Sequence, residues 1–345
     1  MRHQGHGKYF GFAISLSWAV MALLLLGACA NTHDAELRRL WLSSAGKPAA
    51  FRAASAIPVS KPFRNLEDVA SGLSRLERYF VARGDRRAIF VTAYSETTGR
   101  LQDWIRRGRF HNNDLIAHYV LSFANAYRQA LVNYENGRPL PEAWRLSFDA
   151  SRAGTGPIIQ DLLLGINAHV NRDLPFAALD AGLDVGSERC HQDYLSINGT
   201  LREAIPSIRH RVVAIYQPGL FLIGCVWGKR IDNEVARGFQ HARTNSWAAA
   251  VTLDSARSAS ERKRIKKRIE DRAAVAGIFI LANRREPVRE FEIFRSAGDS
   301  NLCVLAPMPP TPSPAGTERS VPSASWGKAG AKQPFKIVSG RKKIP

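Results

Sequence analysis

The sequence predicts an all-α fold: a single multi-helix, bundle-like domain with a disordered N-terminal tether and a disordered C-terminal tail. Three observations predict it. Apolar residues from about residue 62 onward recur at three- and four-residue spacing, which puts them on one face of successive helices. Runs of strand length with alternating apolar and polar residues are missing from the sequence. Gly84, Gly137 and Pro141 fall where such helices should stop or start. The implied boundaries are a leader over 1–28, a tether over 29–61, a helical domain over 62–285 and a Pro/Ser/basic tail over 286–345.

Residues 1–28 read as a secretion signal peptide. Arg2 and Lys8 supply a positive start, Phe10 to Leu26 is an apolar run, and small residues follow. Leu26-Gly27-Ala28-Cys29 resembles the lipobox of bacterial lipoproteins. That resemblance implies cleavage before Cys29 and attachment of lipid, palmitate among its acyl groups, through the sulfur. Two acyl chains at about 0.8 kcal/mol per buried methylene make a stable membrane anchor. Ala30, and not Asp, follows the cysteine. In diderm cells that resembles the pattern released to the outer membrane. The expected location is therefore the periplasmic side of a membrane, held by lipid at Cys29. The competing reading is an ordinary N-terminal membrane anchor with Cys29 incidental. The Ala/Ser-rich stretch after it reads as a tether between lipid and domain.

The helices follow in order. Leu66, Val69, Leu73, Leu76 and Phe80 line the first, which Gly84 ends. Asp85 is placed to cap the second, with Phe90, Tyr94, Leu101, Trp104 and Ile105 facing inward. Asn112 or Asn113 caps the third. Its stripe is Ile116, Val120, Phe123, Tyr127, Leu131 and Tyr134. Pro141 opens a short helix bearing Trp144 and Phe148. A helix from Leu162 ends near Pro175. Asp193 or Ser196 starts the next, with Leu201, Ile205, Ile208, Val212 and Tyr216 on one face. Pro206 should kink or break it. Residues 219–227 are too few to cross a bilayer and read as a buried connector or hairpin arm. Helices over 231–254 and 260–283 complete the domain. The second carries the run ERKRIKKR, which reads as a solvated face. The tail, with Pro307, Pro309, Pro310, Pro312 and Pro314, has too few apolar residues to offset the entropy of ordering.

Composition narrows the function classes. Of 345 residues 45% are hydrophobic and 23% charged, the proportions of a globular protein. The net charge is +19. The basic residues are scattered among the helices and form no nucleic-acid-binding motif. They read as a solvated surface, or alternatively as a module drawn to anionic lipid or polymer. Besides Cys29 there are Cys190, Cys225 and Cys303, which cannot all pair, so this is no disulfide scaffold. One bridge among them is open after export. No CxxC spacing occurs.

The chemistry concentrates in the apolar run LLLGINAHVNRDLPFAA from Leu162 to Ala178, which carries Asn167, His169, Asn171 and Asp173. Buried polar groups cost free energy unless they are bonded. Residues four apart share a helix face, so His169 pairs with Asp173 and Asn167 with Asn171, on stripes about 200° apart. Asp161 and Gly165 lie on the His169 stripe, where the glycine admits a close neighbour. The structural reading is that Asp173 orients a core imidazole. The functional reading makes the pair half of a site for zinc or another divalent metal. A third ligand is then needed, from Asp193, from His118 (itself four residues after Asp114), from His111 or from His191. The best catalytic candidates are His169, Asp173 and Asp193, and the polar or ligand-binding cluster is Asn167, Asn171 and Asn198. Phosphate-loop and nucleophile-elbow patterns are absent from the sequence. The neighbours Cys190 and His191 do not align as nucleophile and base. Trp104, Trp144 and Trp247 read as core anchors.

Several segments together resemble a family of uncharacterised bacterial proteins classed as a domain of unknown function. They are Phe123-Ala124-x-Ala126-Tyr127, Ala143-Trp144-Arg145-Leu146, the run Leu163 to Pro175, Asp193-Tyr194-x-x-Ile197-Asn198, and Trp247. The resemblance spans about 62–285 and implies an all-helical domain with no assigned reaction. Similar proteins carry a carboxylate near Asn112 and a histidine near Tyr194; this chain departs at both, which weakens a shared metal site. His169-x-x-x-Asp173-x-Pro175 is also similar to one element of the zinc-dependent phospholipase C and single-strand nuclease hydrolases. Their proline is spaced differently, and their other histidine ligands have no counterparts here. That similarity implies a phosphoesterase in which metal-bound water attacks. Three expectations follow: a lipid-anchored envelope protein whose polar cluster is structural or binds a small ligand, a metal-dependent hydrolase, or a basic surface module.

Overall fold

The computed structural model describes residues 32–44, 57–217 and 221–282, with the backbone alone for 221–231. Among them the regular elements are helices: α1 (Thr32–Ser44), α2 (Leu66–Val81), α3 (Ala88–Arg106), α4 (Asn113–Glu135), α5 (Glu142–Ala153), α6 (Ile158–Asn167), a π-helical turn (Ala168–Asp173), α7 (Leu174–Asp180), α8 (Glu188–Tyr216), α9 (Phe221–Asp254) and α10 (Ala259–Ala282). The all-α expectation is met.

The local causes are those read from the sequence. Asn65 caps α2 by accepting from the Asp68 N–H, and Glu67 and Asp68 complement the positive end of the helix. Asn112 caps α4 by accepting from Leu115 N–H. Gly84 (φ 63°) and Gly137 (φ 62°) adopt the left-handed conformation that ends α2 and α4. Asp85 differs from its expected role. The residue preceding α3 is Arg87, and Asp85 accepts from its backbone N–H at 3.0 Å and from its guanidinium.

The apolar stripes meet in two main clusters. One gathers Leu73, Leu76, Phe80, Phe90, Tyr127 and Trp144. The other gathers Tyr119, Val120, Leu174, Tyr194, Ile197 and Trp247. Phe123 and Ile166 pack against both, so the polar run beside them lies at the seam.

The structure departs from expectation in four places. Inside the segment read as a tether, α1 docks on the domain: Leu37 is buried, Trp41 meets Tyr216 edge-on at 4.9 Å, and Asp34 accepts from Arg211 Nε at 2.8 Å. Ile57 and Val59 are buried as well, ahead of Pro62. Leu37, Leu40 and Trp41 form one short face that the Ala/Ser content of the segment obscures. α8 starts earlier than Asp193 or Ser196, capped by Ser187 accepting from Cys190 N–H, and it runs through Pro206 unbroken. Residues 221–227 are no connector but the start of α9, a 34-residue helix. A short apolar run does not declare its secondary structure by period. Finally, the run from Leu162 does not end near Pro175. It opens into a π turn and continues as α7, with Pro175 at the second residue of α7, next to the turn.

No described helix is long and apolar enough to cross a membrane. The leader, Cys29, the side chain of Cys225, Cys303 and the 286–345 tail lie outside the described residues.

Candidate functional site

The π turn sets the geometry. The Leu174 N–H donates to the His169 carbonyl, five residues back, widening the helix by one residue where His169 and Asp173 project. Asp173 is completely buried. Its Oδ2 accepts from Trp144 Nε1 at 2.9 Å and from His169 Nδ1 at 3.1 Å, and its Oδ1 accepts from Arg172 at 3.0 Å. Arg172 also reaches Glu270 on α10 at 3.0 Å. Two fixed donors, the Trp144 indole N–H and the Arg172 guanidinium, mark this carboxyl group as the anion, which only accepts. The proton on His169 therefore sits on Nδ1, and Nε2 presents its lone pair.

The His169 ring lies flat on Phe123, with centroids 3.4 Å apart and planes 9° apart, and meets Tyr94 edge-on at 4.5 Å. Burial drives its pKa below the ordinary 6.5, against the opposing pull of Asp173, so the ring is neutral. His169 Nε2 has no hydrogen-bond partner, and the neighbouring Tyr94 hydroxyl has only a loose contact with Thr98. Leaving such a group unbonded costs about 1–3 kcal/mol.

The rings of His169 and Tyr94 adjoin a cavity of about 270 Å³, from which Nε2 and the Tyr94 hydroxyl are themselves shielded. Its lining is almost wholly apolar, with Leu101 from α3, Val120 from α4, Leu174 from α7, and Ile197, Leu201 and Ile205 from α8. Arg209 and Asp232 also line it, paired at 2.9 Å. Leu201, Ile205, Ile208 and Val212, the α8 face read from the sequence, pack into the core and also line this cavity. Trp144 as a partner of Asp173 was not expected, because no spacing signal links residues 29 apart.

The other candidates hold the scaffold. Asn171 donates to Asn167 at 2.9 Å, and Asn167 donates to the Ala273 carbonyl of α10 at 2.8 Å, so this pair is a tie between elements. Asp193 accepts from the backbone N–H groups of His111 and Asn112 at 2.7 and 2.9 Å and from His111 Nδ1 at 2.8 Å, clamping the start of α4. Burial would raise the Asp193 carboxyl, but those donors outweigh it and hold its pKa below the ordinary value. Asn198 accepts from Arg243 Nε at 3.0 Å. His191 stacks on Trp247 at 4.9 Å, and His118 is exposed. Asp161 binds Arg86 at 2.6 Å, and Arg86 holds the Gly154 and Gly156 carbonyls at 2.7 Å each. Burial lifts Asp161 to about 6 against the pull of Arg86. At Gly165 the close neighbour is the Phe90 ring.

The metal expectation required a third ligand beside His169 and Asp173. Among the described residues no group of three or more His, Cys, Asp or Glu side chains is placed to hold a metal ion. Within the pair, the Asp173 carboxylate is engaged by Trp144 and Arg172 and His169 Nδ1 by Asp173, which leaves Nε2 as the one unbonded donor atom of the pair.

A second buried network fixes α1. Glu77 accepts from Thr92 at 2.6 Å and from Arg211 at 3.0 Å, and Thr92 shares a 2.6 Å bond with the Tyr216 hydroxyl. Arg211 is the arginine at its centre and faces Asp34, Glu77 and, at 3.7 Å, Glu96.

No curated protein and no solved structure matches the chain. A family model described as a family of unknown function (DUF5995) matches residues 66–283, from the first residue of α2 to just past α10. The chain, with its His169–Asp173 pair inside that match, belongs to this family of unknown function.

Proposed function

We propose that this protein is a lipid-anchored cell-envelope protein whose helical domain binds a small apolar ligand. The cavity of about 270 Å³ carries the binding part of this reading. Close packing leaves few voids larger than a water molecule, and an apolar cavity of roughly 150 Å³ already stays dry and takes up benzene. One nearly twice that size accommodates a medium-length acyl chain or a substituted ring. The lipobox-like Leu26-Gly27-Ala28-Cys29 supports the anchor.

The neutral fluorophore N-phenyl-1-naphthylamine tests binding, because its emission rises in dry surroundings. We expect saturable one-to-one binding that Ile205→Trp, which narrows the cavity, weakens while far-UV circular dichroism is unchanged. A signal that rises linearly without saturating, or one that the variant leaves unaltered, overturns the reading. For the anchor, Cys29→Ala should abolish metabolic labelling with a palmitate analogue, and persistent labelling refutes it.

A second reading has its own observation. On α10, Lys263, Arg264, Lys267, Arg268 and Arg272 are exposed on one helical face with Val275, Ile278 and Phe279. Basic and apolar residues on one exposed face suit the surface of an anionic bilayer. Binding to phosphatidylglycerol vesicles should weaken steeply with added salt. Salt-independent binding, or none, sinks this reading.

A further inference from the structure

We infer that the ligand of this cavity is a single unbranched alkyl chain, which lies along α8 with its polar end at the solvent near Gln217. This rests on the cavity being a binding site.

The lining sets the shape. On α8 it includes Ile197, Leu201, Ile205, Arg209, Val213 and Gln217, each four residues after the last and so on one helical stripe. From Ile197 to Gln217 is about 30 Å of helix. Two more long helices run antiparallel beside that stripe. On α3, Trp104 donates to Glu203, Arg100 to Ser207, and Thr92 shares a bond with Tyr216. On α9, Asp232 holds Arg209, and Arg243 donates to Asn198. The lining on both follows the same direction, from Leu101 to Phe90 on α3 and from Arg243 to Asp232 on α9. A compact cavity of roughly 150 Å³ holds benzene. A space of about 270 Å³ drawn out between three aligned helices is narrower, with the width of an alkyl chain. The two ends differ. Tyr119, Val120, Leu174 and Ile197 are buried and close one, whereas Gln217 is exposed at the other. A chain therefore enters with its methyl end first, because a polar end left at Gln217 keeps its water.

The test is calorimetric titration with the even-numbered alkanoates from octanoate to hexadecanoate at pH 8, each below its aggregation limit. Every methylene buried in the channel should tighten binding by up to about fourfold, until the channel is full and longer chains gain nothing. Ile205→Trp obstructs the channel midway. It should move that ceiling to shorter chains and leave octanoate unaltered. Leu201→Trp, nearer the closed end, provides a second variant if Ile205→Trp fails to fold, and should move the ceiling less. Val213→Trp, near Gln217, should weaken every chain length together. Exchange of the effects of Leu201→Trp and Val213→Trp overturns the assigned direction. Affinity that ignores chain length, or a ceiling that both Ile205→Trp and Leu201→Trp leave in place, overturns the inference; saturable binding of N-phenyl-1-naphthylamine then leaves the cavity reading standing. Failure of the fluorophore and of every alkanoate to bind overturns the cavity reading itself.

Discussion

The indole Nε1 of Trp144 donates to Asp173 Oδ2 at 2.9 Å, joining α5 to the π turn through a carboxylate with no exposed surface. The same oxygen receives His169 Nδ1. Trp144 thereby fixes the anion that fixes the imidazole. Trp144→Phe keeps an aromatic ring but removes the N–H. We expect a loss of about 1–3 kcal/mol in urea denaturation, the cost of removing a donor from a buried anion. Unchanged stability would show that the bond contributes nothing.

His169 sets a pH dependence. Its folded pKa lies below the ordinary 6.5, so below pH 6.5 the unfolded chain takes up a proton that the folded chain resists. Its contribution to stability is complete above about pH 6.5 and is lost as the pH falls toward the folded value. Asp161 works in the opposite direction. It is raised from 3.8 to about 6, so stability linked to it increases as pH falls through that window. The difference between the unmodified protein and His169→Phe isolates the histidine. Between pH 7.5 and pH 5 the unmodified protein should lose more stability than the variant, and parallel curves contradict the assignment.

Gly165 lets α6 approach α3. A Cβ there would lie 2.5 Å from Phe90 Cδ2 and 2.9 Å from Phe90 Cβ, too close for the ring tip alone to relieve. Gly165→Ala should therefore cost about 1–3 kcal/mol by overpacking, despite alanine's better helix propensity. A gain in thermal midpoint would show that Phe90 moves freely.

Asp193, a catalytic candidate from sequence, works as a clamp on α4. Asp193→Ala should lower stability by about 1–3 kcal/mol, because the N–H groups of His111 and Asn112 lose their acceptor. Binding of N-phenyl-1-naphthylamine, measured below the unfolding transition, should be unaltered. A loss of binding with stability intact would place Asp193 in the site.

The stripes of α2, α4 and α5 were legible because their apolar residues hold helical period over several turns. So was the His169–Asp173 pair, since spacing of four brings the two side chains together even in the wider π turn. The docking of α1 was hidden because its stripe is one short face inside an Ala/Ser-rich segment. Trp144 and Arg172 as partners of Asp173 were not legible: one is distant in sequence, and the other is adjacent, a spacing that predicts divergence on an α-helix. The cavity was not legible because the α8 stripe, from Leu201 to Val212, reads the same whether its residues meet a partner or face a void.

Titration of N-phenyl-1-naphthylamine into the unmodified protein and into Ile205→Trp tests most directly whether the apolar cavity takes up a ligand. The expected result is saturable one-to-one binding that the variant weakens while its far-UV circular dichroism is unchanged. Emission that rises without saturating, or binding that the variant leaves unaltered, would contradict it.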